Sequence, residues 1–244
     1  MILKLRQIGM WPLLAYILVM GILLSLGFWQ LARSEQKREY LQTQEQLLQQ
    51  DALVIDGNTP DDLASLKFRP VSVTGEYDVE HQFLVDNQHM HGKVGYLVLT
   101  PLKLSNQKIV LINRGWVPLN VDRKILPDIA FTQKQVSLTG RVNSFPSVGL
   151  QLSGAELPTS GWPAVVQVVQ PKILGPLLHA DVLSFQIELD PYAENGYLRS
   201  WSLPVLITPE KHIAYAVQWF GLAFTLTVLA FWSIRKKLHE SATN

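Results

Sequence analysis

The chain contains no cysteine. That excludes disulfides, thiol redox chemistry and thiolate metal sites. It leaves the compartment open, because a domain of this size buries a core without covalent staples. Charge is sparse and balanced, with 21 Lys and Arg against 20 Asp and Glu. No basic patch with interleaved aromatics occurs, so nucleic acid is not expected as a partner. No G-x-S-x-G, H-E-x-x-H, P-loop or G-x-G-x-x-G is present. Ser, Asp and His occur without the context that makes a triad, so no enzyme activity is expected. The first apolar run lacks a small-x-small cleavage site, and no Arg/Ser-rich, acid-poor leader precedes it. The run therefore reads as a retained anchor, in a bacterial plasma (inner) membrane rather than a mitochondrial one.

What the chain does have is two long apolar runs without charge, Trp11 to Leu31 and Ile213 to Ile234. Each is long enough to cross a hydrocarbon core of ~30 Å at ~1.5 Å per helical residue. Pro12 falls in the first turn of the first run, where a missing N–H costs little. Trp11 and Trp29 mark its ends as interfacial aromatics. The short tails carry Lys4, Arg6, Arg235, Lys236 and Lys237 against Glu240. Between them stand 16 basic and 19 acidic groups. Basic tails stay inside and long domains translocate largely regardless of charge, so both termini are expected to be cytoplasmic and the middle periplasmic. Arg33, Lys37 and Arg38 work against this orientation. The expected plan is a tail over 1–10, a span over 11–32, an outer domain over 33–211, a second span over 212–234 and a tail over 235–244.

Residues 33–50 are rich in good helix formers and extend the first span. Asp56-Gly57-Asn58-Thr59-Pro60 is turn chemistry. Beyond it come short apolar or alternating runs: 68–77, 83–85, 94–99, 109–112, 136–142, 164–169 and 182–189. Strands at this spacing predict an antiparallel barrel or sandwich. Pro171 to His179 predicts one short helix, with Pro at its start. Residues 143–163 carry Pro146, Gly149, Gly154, Pro158, Gly161 and Pro163 and read as a loop. The fold class is thus two transmembrane α-helices flanking one β-rich outer domain.

Three groups of residues could carry chemistry. His212, Tyr215 and Trp219 share a helix face by i, i+3, i+7 spacing at the head of the second run, with Gln218 beside it. An imidazole there could ligate a haem iron, leaving the macrocycle in the lipid zone. The same three residue types also make an ordinary interfacial belt. His89-Met90-His91, with His81 nearby, has copper-like ligands, yet Asn87 to Gly92 reads as an exposed hairpin turn. Trp29, Arg33 and Lys37 form a stripe at i, i+4, i+8, either an anchor with snorkelling cations or a cationic ledge for propionates or an acidic partner loop. Asn113-Arg114-Gly115-Trp116 ends a strand; Gly115 suggests a bulge or tight turn, and Arg114 a buried bidentate pair.

Several segments together resemble the Surfeit locus protein 1 family of cytochrome c oxidase assembly factors. They are Gly27-Phe28-Trp29-Gln30-Leu31-Ala32-Arg33 with Lys37, then Phe68-Arg69-Pro70-Val71-Ser72-Val73-Thr74-Gly75, and Gly95-Tyr96-Leu97-Val98-Leu99-Thr100-Pro101-Leu102. Val110-Leu111-Ile112-Asn113-Arg114-Gly115-Trp116-Val117-Pro118 follows, and His212-Ile213-Ala214-Tyr215-Ala216-Val217-Gln218-Trp219-Phe220 closes the series. The blocks come in the family's order and span nearly the whole chain.

The resemblance implies a role in maturing the haem–copper oxidase, where haem a enters subunit I, with haem a synthase as a further partner. It implies His212 as the haem iron ligand; Tyr215 and Trp219 join it as candidate cofactor-binding residues through the shared helix face. Trp29, Gln30, Arg33, Arg69, Gly75, Arg114, Gly115 and Trp116 carry over as signature positions without assigned chemistry. A cofactor-free scaffold that stabilises an assembly intermediate is the alternative, with Gly21, Ser25 and Gly27 admitting a partner helix closely. A membrane-tethered periplasmic enzyme is the third reading, and no constellation supports it.

Overall fold

The computed structural model describes residues 10–147, 154–201 and 207–243. Lys4 and Arg6 of the expected basic tail, and the middle of the expected 143–163 loop, lie outside these. The elements run α1 (Met10–Leu48), β1 (Leu53–Ile55), α2 (Leu63–Leu66), β2 (Pro70–Tyr77), β3 (Phe83–Met90) and β4 (Lys93–Lys103). They continue with β5 (Ile109–Pro118), β6 (Gln135–Asn143), β7 (Ala164–Val166), α3 (Pro171–Leu178), β8 (Val182–Leu189) and α4 (Pro209–Thr243). The chain forms two compact units: Gln44–Ser202, and the terminal segments Met1–Thr43 with Leu203–Asn244.

The β-rich unit is a closed barrel with extra strands at its edges. β2 pairs with β6, β6 with β8, β8 with β5 and β5 with β4. The ring closes where Glu76 and Tyr77 of β2 pair with Lys103 and Leu102 of β4. Taking these five strands in chain order, the circuit is first, second, third, fifth, fourth and back to the first. That is the connectivity of an OB-type Greek-key barrel. Three pairings are parallel, β1–β2, β3–β7 and β5–β8, so the sheet is mixed where alternation alone suggested antiparallel pairing. Parallel partners are distant in sequence, and no local turn signal announces them.

The barrel core holds Val71, Val73, Leu102, Val110, Ile112 and Ile187, all essentially without solvent contact. A second core beside it joins Phe83, Leu99 and Leu111 to Leu174 of α3. β5 therefore buries both faces, which is why Ile109 to Ile112 reads as a continuous apolar run rather than an alternating one. Gly75 sits at the closure: a Cβ there would collide with the Lys103 carbonyl of the facing strand.

α3 matches the expected helix closely. Pro171 starts it, and His179, at φ 51°, ends it by donating its N–H to the Gly175 carbonyl. The turn expected over Asn87 to Gly92 is shorter. β3 continues to Met90, and only His91 and Gly92, both at positive φ, form a two-residue hairpin turn. Asn87, also at positive φ, lies at a bulge between Val85 and Gln88.

The terminal unit is an antiparallel helix pair. Up to Ser34 of α1, Tyr16, Met20, Leu23, Gly27, Gln30 and Ser34 are covered or half-covered at spacings of four and three residues, with Leu26 half-covered beside them. Along α4, Pro209, His212, Ala216, Trp219, Ala223, Leu226 and Ala230 are spaced likewise, with Phe220 and Ile234 half-covered as well. This is the heptad seam of two packed helices. Gly27 leaves room for a ring of α4, since a Cβ there would stand 2.6 Å from the Phe220 side chain. Gly27 thus admits this chain's own Phe220, whereas nothing lies within 4 Å of a Cβ built on Gly21. Tyr16 and Thr227 share a hydrogen bond of 3.1 Å further along.

Away from the seam both helices present apolar side chains outward, Leu18, Phe224 and Trp232 among them. Only 6% and 11% of their most apolar stretches are buried, so neither is the core helix of a water-soluble fold. Both are long and apolar enough to cross a membrane. α1 runs on through the expected extension to Leu48.

Candidate functional site

His212 lies in the first turn of α4, where Pro209 starts the helix and the N–H of His212 donates to the Thr208 carbonyl. The residue is 7% exposed. Nδ1 stands 2.7 Å from Oε1 of Gln30 on α1. An amide oxygen can only accept, so Nδ1 carries the proton and donates it. In a neutral ring, Nε2 then bears the lone pair. One turn along α1, the Ser34 hydroxyl donates to the Pro209 carbonyl at 3.0 Å. Gln30 and Ser34, at i and i+4, together clamp the start of α4. An imidazole with one nitrogen anchored by an acceptor and the other bearing a lone pair is how metal-ligating histidines are held.

The three residues grouped by spacing do not share one environment. Trp219 is half-buried at the seam, whereas Tyr215 is 46% exposed. At about 100° per residue, Tyr215 is turned some 60° from His212 and faces outward. Gln30 is the residue that meets the imidazole. The signal was available only through the signature block that contains Gln30. Trp29, Arg33 and Lys37 are exposed. The Arg33 guanidinium lies 5.6 Å from the Trp29 ring centroid and donates to Gln36 at 3.0 Å.

In the β-rich unit, Arg114 is 2% exposed, and its expected bidentate carboxylate pair is not found. Nε donates to the Asn195 carbonyl at 2.7 Å and Nη1 to Gln82 Oε1 at 2.9 Å. The guanidinium stacks 3.8 Å over Phe131 and 5.0 Å over Tyr197. Neutral acceptors and aromatic faces take the place of an anion because the nearby strand ends supply amides and carbonyls. Burial is the main cause that holds the guanidinium below its usual pKa, opposed by Tyr197 and Tyr77.

Arg114, Gly115 and Trp116 have a common structural task. The Tyr197 N–H donates to the Arg114 carbonyl at 2.7 Å, and Trp116 and Leu198 exchange backbone bonds of 2.8 and 3.2 Å. The Trp116 indole donates to the Gln88 carbonyl at 2.9 Å. Gly115 sits at φ 111°, and a Cβ there would stand 2.8 Å from the Leu198 carbonyl. The signature thus forms the dock for residues 195–199. Gly115→Val is expected to cost about 1–3 kcal/mol, since both the backbone conformation and the contact are closed to a branched side chain. A denaturant midpoint equal to that of the parent would contradict this.

The remaining candidates are dispersed. Arg69 is half-buried beside β2, with a covered Nε that has no acceptor. His89 and His91 are exposed, and His81 is held by Asp78 at 2.7 Å and stacks edge-on against Trp162. Among the described residues no three His, Asp or Glu side chains come together as a metal site.

Two features were missed by sequence reasoning. Arg141 and Glu188 form a buried ion pair between β6 and β8, and Asn143 donates to the same carboxylate at 2.8 Å. The available signal was that each is the sole charge inside an apolar strand run. The second is Tyr77, whose phenol is pushed up to about 12 by burial, opposed by Arg114 and Arg199. Unfolded tyrosine ionises near 10, so between about pH 10 and 12 the unfolded chain has lost this proton and the folded chain retains it. Stability from Tyr77 is therefore complete below pH ~10 and falls as pH rises to ~12, by about 2–3 kcal/mol. Tyr77→Phe should flatten that part of the stability–pH curve, and an unchanged slope would refute the assignment.

A family model described as the SURF1 family matches residues 17–224. A SURF1-like protein of Rickettsia conorii is 28% identical over 217 residues, which cover 85% of either chain. Another, of Rickettsia felis, is 27% identical over 225 residues, 88% of this chain and 93% of its own. Surfeit locus protein 1 of Arabidopsis thaliana is 33% identical over 120 residues, 44% of this chain and 34% of its own. The family match takes in His212 and Gln30 together with the barrel and its Arg114–Trp116 dock, and this chain belongs to the SURF1 family.

Proposed function

We propose that this protein is a membrane-bound assembly factor for a haem–copper cytochrome c oxidase. In this reading α1 and α4 cross a bacterial plasma membrane, with both termini cytoplasmic and the β-rich unit periplasmic. His212 is the haem a ligand, and the protein presents that haem to subunit I, downstream of haem a synthase. The observation that supports the reading most is the 2.7 Å hydrogen bond between His212 Nδ1 and Gln30 Oε1. It leaves Nε2 as the ligand nitrogen and fixes the ring plane from a second helix.

The donor set suits a haem that must be released. The other histidine of this unit, His239, lies 27 residues further along α4, ~40 Å away at ~1.5 Å per residue. His212 would therefore hold the iron without a second histidine from this pair of helices, and one ligand bond would be easier to surrender than two. Haem a supplies a redox-active iron for the oxidase. The outward apolar faces of α1 and α4 give its hydrocarbon tail a lipid-like surface. Arg33 and Lys37 provide cations where α1 leaves the apolar run.

A second reading is favoured by the burial of the ring. At 7% exposure His212 also serves as a polar rivet between two helices. A cofactor-free scaffold would need nothing more from it. For haem to reach Nε2, the seam must part at this end.

A strain deleted for this protein separates the readings. Loss of assembled oxidase, restored by the parent chain but not by a stably inserted His212→Ala chain, supports the haem reading. Full rescue by His212→Ala points to the scaffold. Normal oxidase in the deletion strain contradicts both.

A further inference from the structure

The helix pair carries a second feature, at the opposite end from His212. An apolar groove of about 450 Å³ lies between α1 and α4, lined by Pro12, Leu13, Tyr16, Ala230, Ile234 and Lys237 among others. Its volume falls in the range of small-ligand sites, about 300–1,000 Å³. The Tyr16–Thr227 hydrogen bond closes its deep end. Lys237 stands at its mouth, one turn past the last residue of the apolar run.

The dimensions match a bilayer leaflet. From Thr227 to Lys237 the helix rises ~15 Å, half of a ~30 Å hydrocarbon core. The groove therefore runs from near the midplane to the surface. Its walls are hydrocarbon and its mouth is a cation, which is the polarity of a phospholipid with a negative headgroup.

The neighbouring cations show why Lys237 is the one that faces the headgroup. The Arg235 guanidinium lies 5.7 Å from the Phe231 ring centroid, one turn back. The Lys236 ammonium lies 5.8 Å from the Trp232 centroid and 4.0 Å from Glu240. Both fold onto their own helix. Lys237 follows Ser233, which lines the groove, at i+4. Arg235, over the Phe231 ring that forms part of the groove wall, and Lys236 in the same turn add to the positive surface.

We infer that the α1/α4 groove is a binding site for one anionic phospholipid, an acyl chain lying between Pro12–Tyr16 and Ala230–Ile234 and its phosphate on Lys237. The inference rests on the membrane-crossing reading of the two helices and is independent of haem.

The test is native mass spectrometry of the full chain extracted from vesicles of phosphatidylglycerol and phosphatidylcholine in equal parts. Recovery of the chain from the vesicle fraction is scored first, and its absence would refute the membrane reading itself. With the chain in the vesicles, retention of one phosphatidylglycerol per chain, in at least fivefold excess over phosphatidylcholine, is expected. Lys237→Gln should erase that preference while leaving a lipid bound. Ala230→Trp, which fills the groove, should remove the bound lipid. Lipid-free chains, equal retention of both lipids by the parent, or retention unchanged in Ala230→Trp would overturn the proposal. So would a dimer whose groove excludes lipid, since a second copy would then be the occupant.

Discussion

Glu188→Leu lowers the stability of the β-rich unit by about 3–5 kcal/mol, the cost of leaving a buried charge without its partner. Two groups lose their acceptor at once: Arg141 Nε and Asn143 Nδ2 both donate to this carboxylate. Arg141 already has a covered Nη2 without an acceptor, so the pair is incompletely satisfied even in the parent. Folded domains hold only ~5–15 kcal/mol in total, so the single variant approaches loss of folding. The double variant Arg141→Met/Glu188→Leu removes both charges and should recover most of the loss, because a buried ion pair is often no better than a well-packed apolar pair. The check is the denaturant midpoint in detergent, read by near-ultraviolet circular dichroism. A double variant as unstable as the single one would mean that the strands need the pair itself.

The second large effect concerns the helix pair. His212→Ala is expected to lose haem a, and Gln30→Leu to weaken its retention by about 10–100-fold, the usual cost of removing the group that orients a metal-ligating histidine. Gln30→Glu is the informative control. It keeps an acceptor 2.7 Å from Nδ1 and should retain haem, with the reduction potential shifted down by a more electron-rich imidazole. If Gln30→Leu and the parent hold haem equally, the hydrogen bond is only a helix contact.

Much of this architecture was legible because its signals are local. The two apolar runs have no charge to contradict them, and Val182 to Leu189 became β8 over the same residues. Pro171 announced α3. The three-residue β1 and the single turn of α2, capped by Asp62, were not visible. Each is too short, at three and four residues, to repeat its own pattern twice, and β1 exists through pairing with β2. Barrel closure was equally hidden, since it depends on Tyr77 meeting Leu102.

The site divides in the same way. His212 was singled out from its place at the head of an apolar run, and the residue across from it was not named. Helical spacing on one element nominated Tyr215, which turns outward. The residue that engages the imidazole is Gln30, 182 positions away on another helix. Spacing rules describe one helix at a time, so they cannot see across a seam. Arg114 was read from composition as half of an ion pair, and the structure surrounds it with amides, carbonyls and rings instead.

The most direct measurement is the reduced optical spectrum of the protein purified in detergent after co-expression with the enzymes of haem a synthesis, recorded beside that of His212→Ala. A haem a band in the parent that disappears in a folded variant is the predicted result, and it places the iron on His212. Haem a bound equally by both, or by neither, would contradict it.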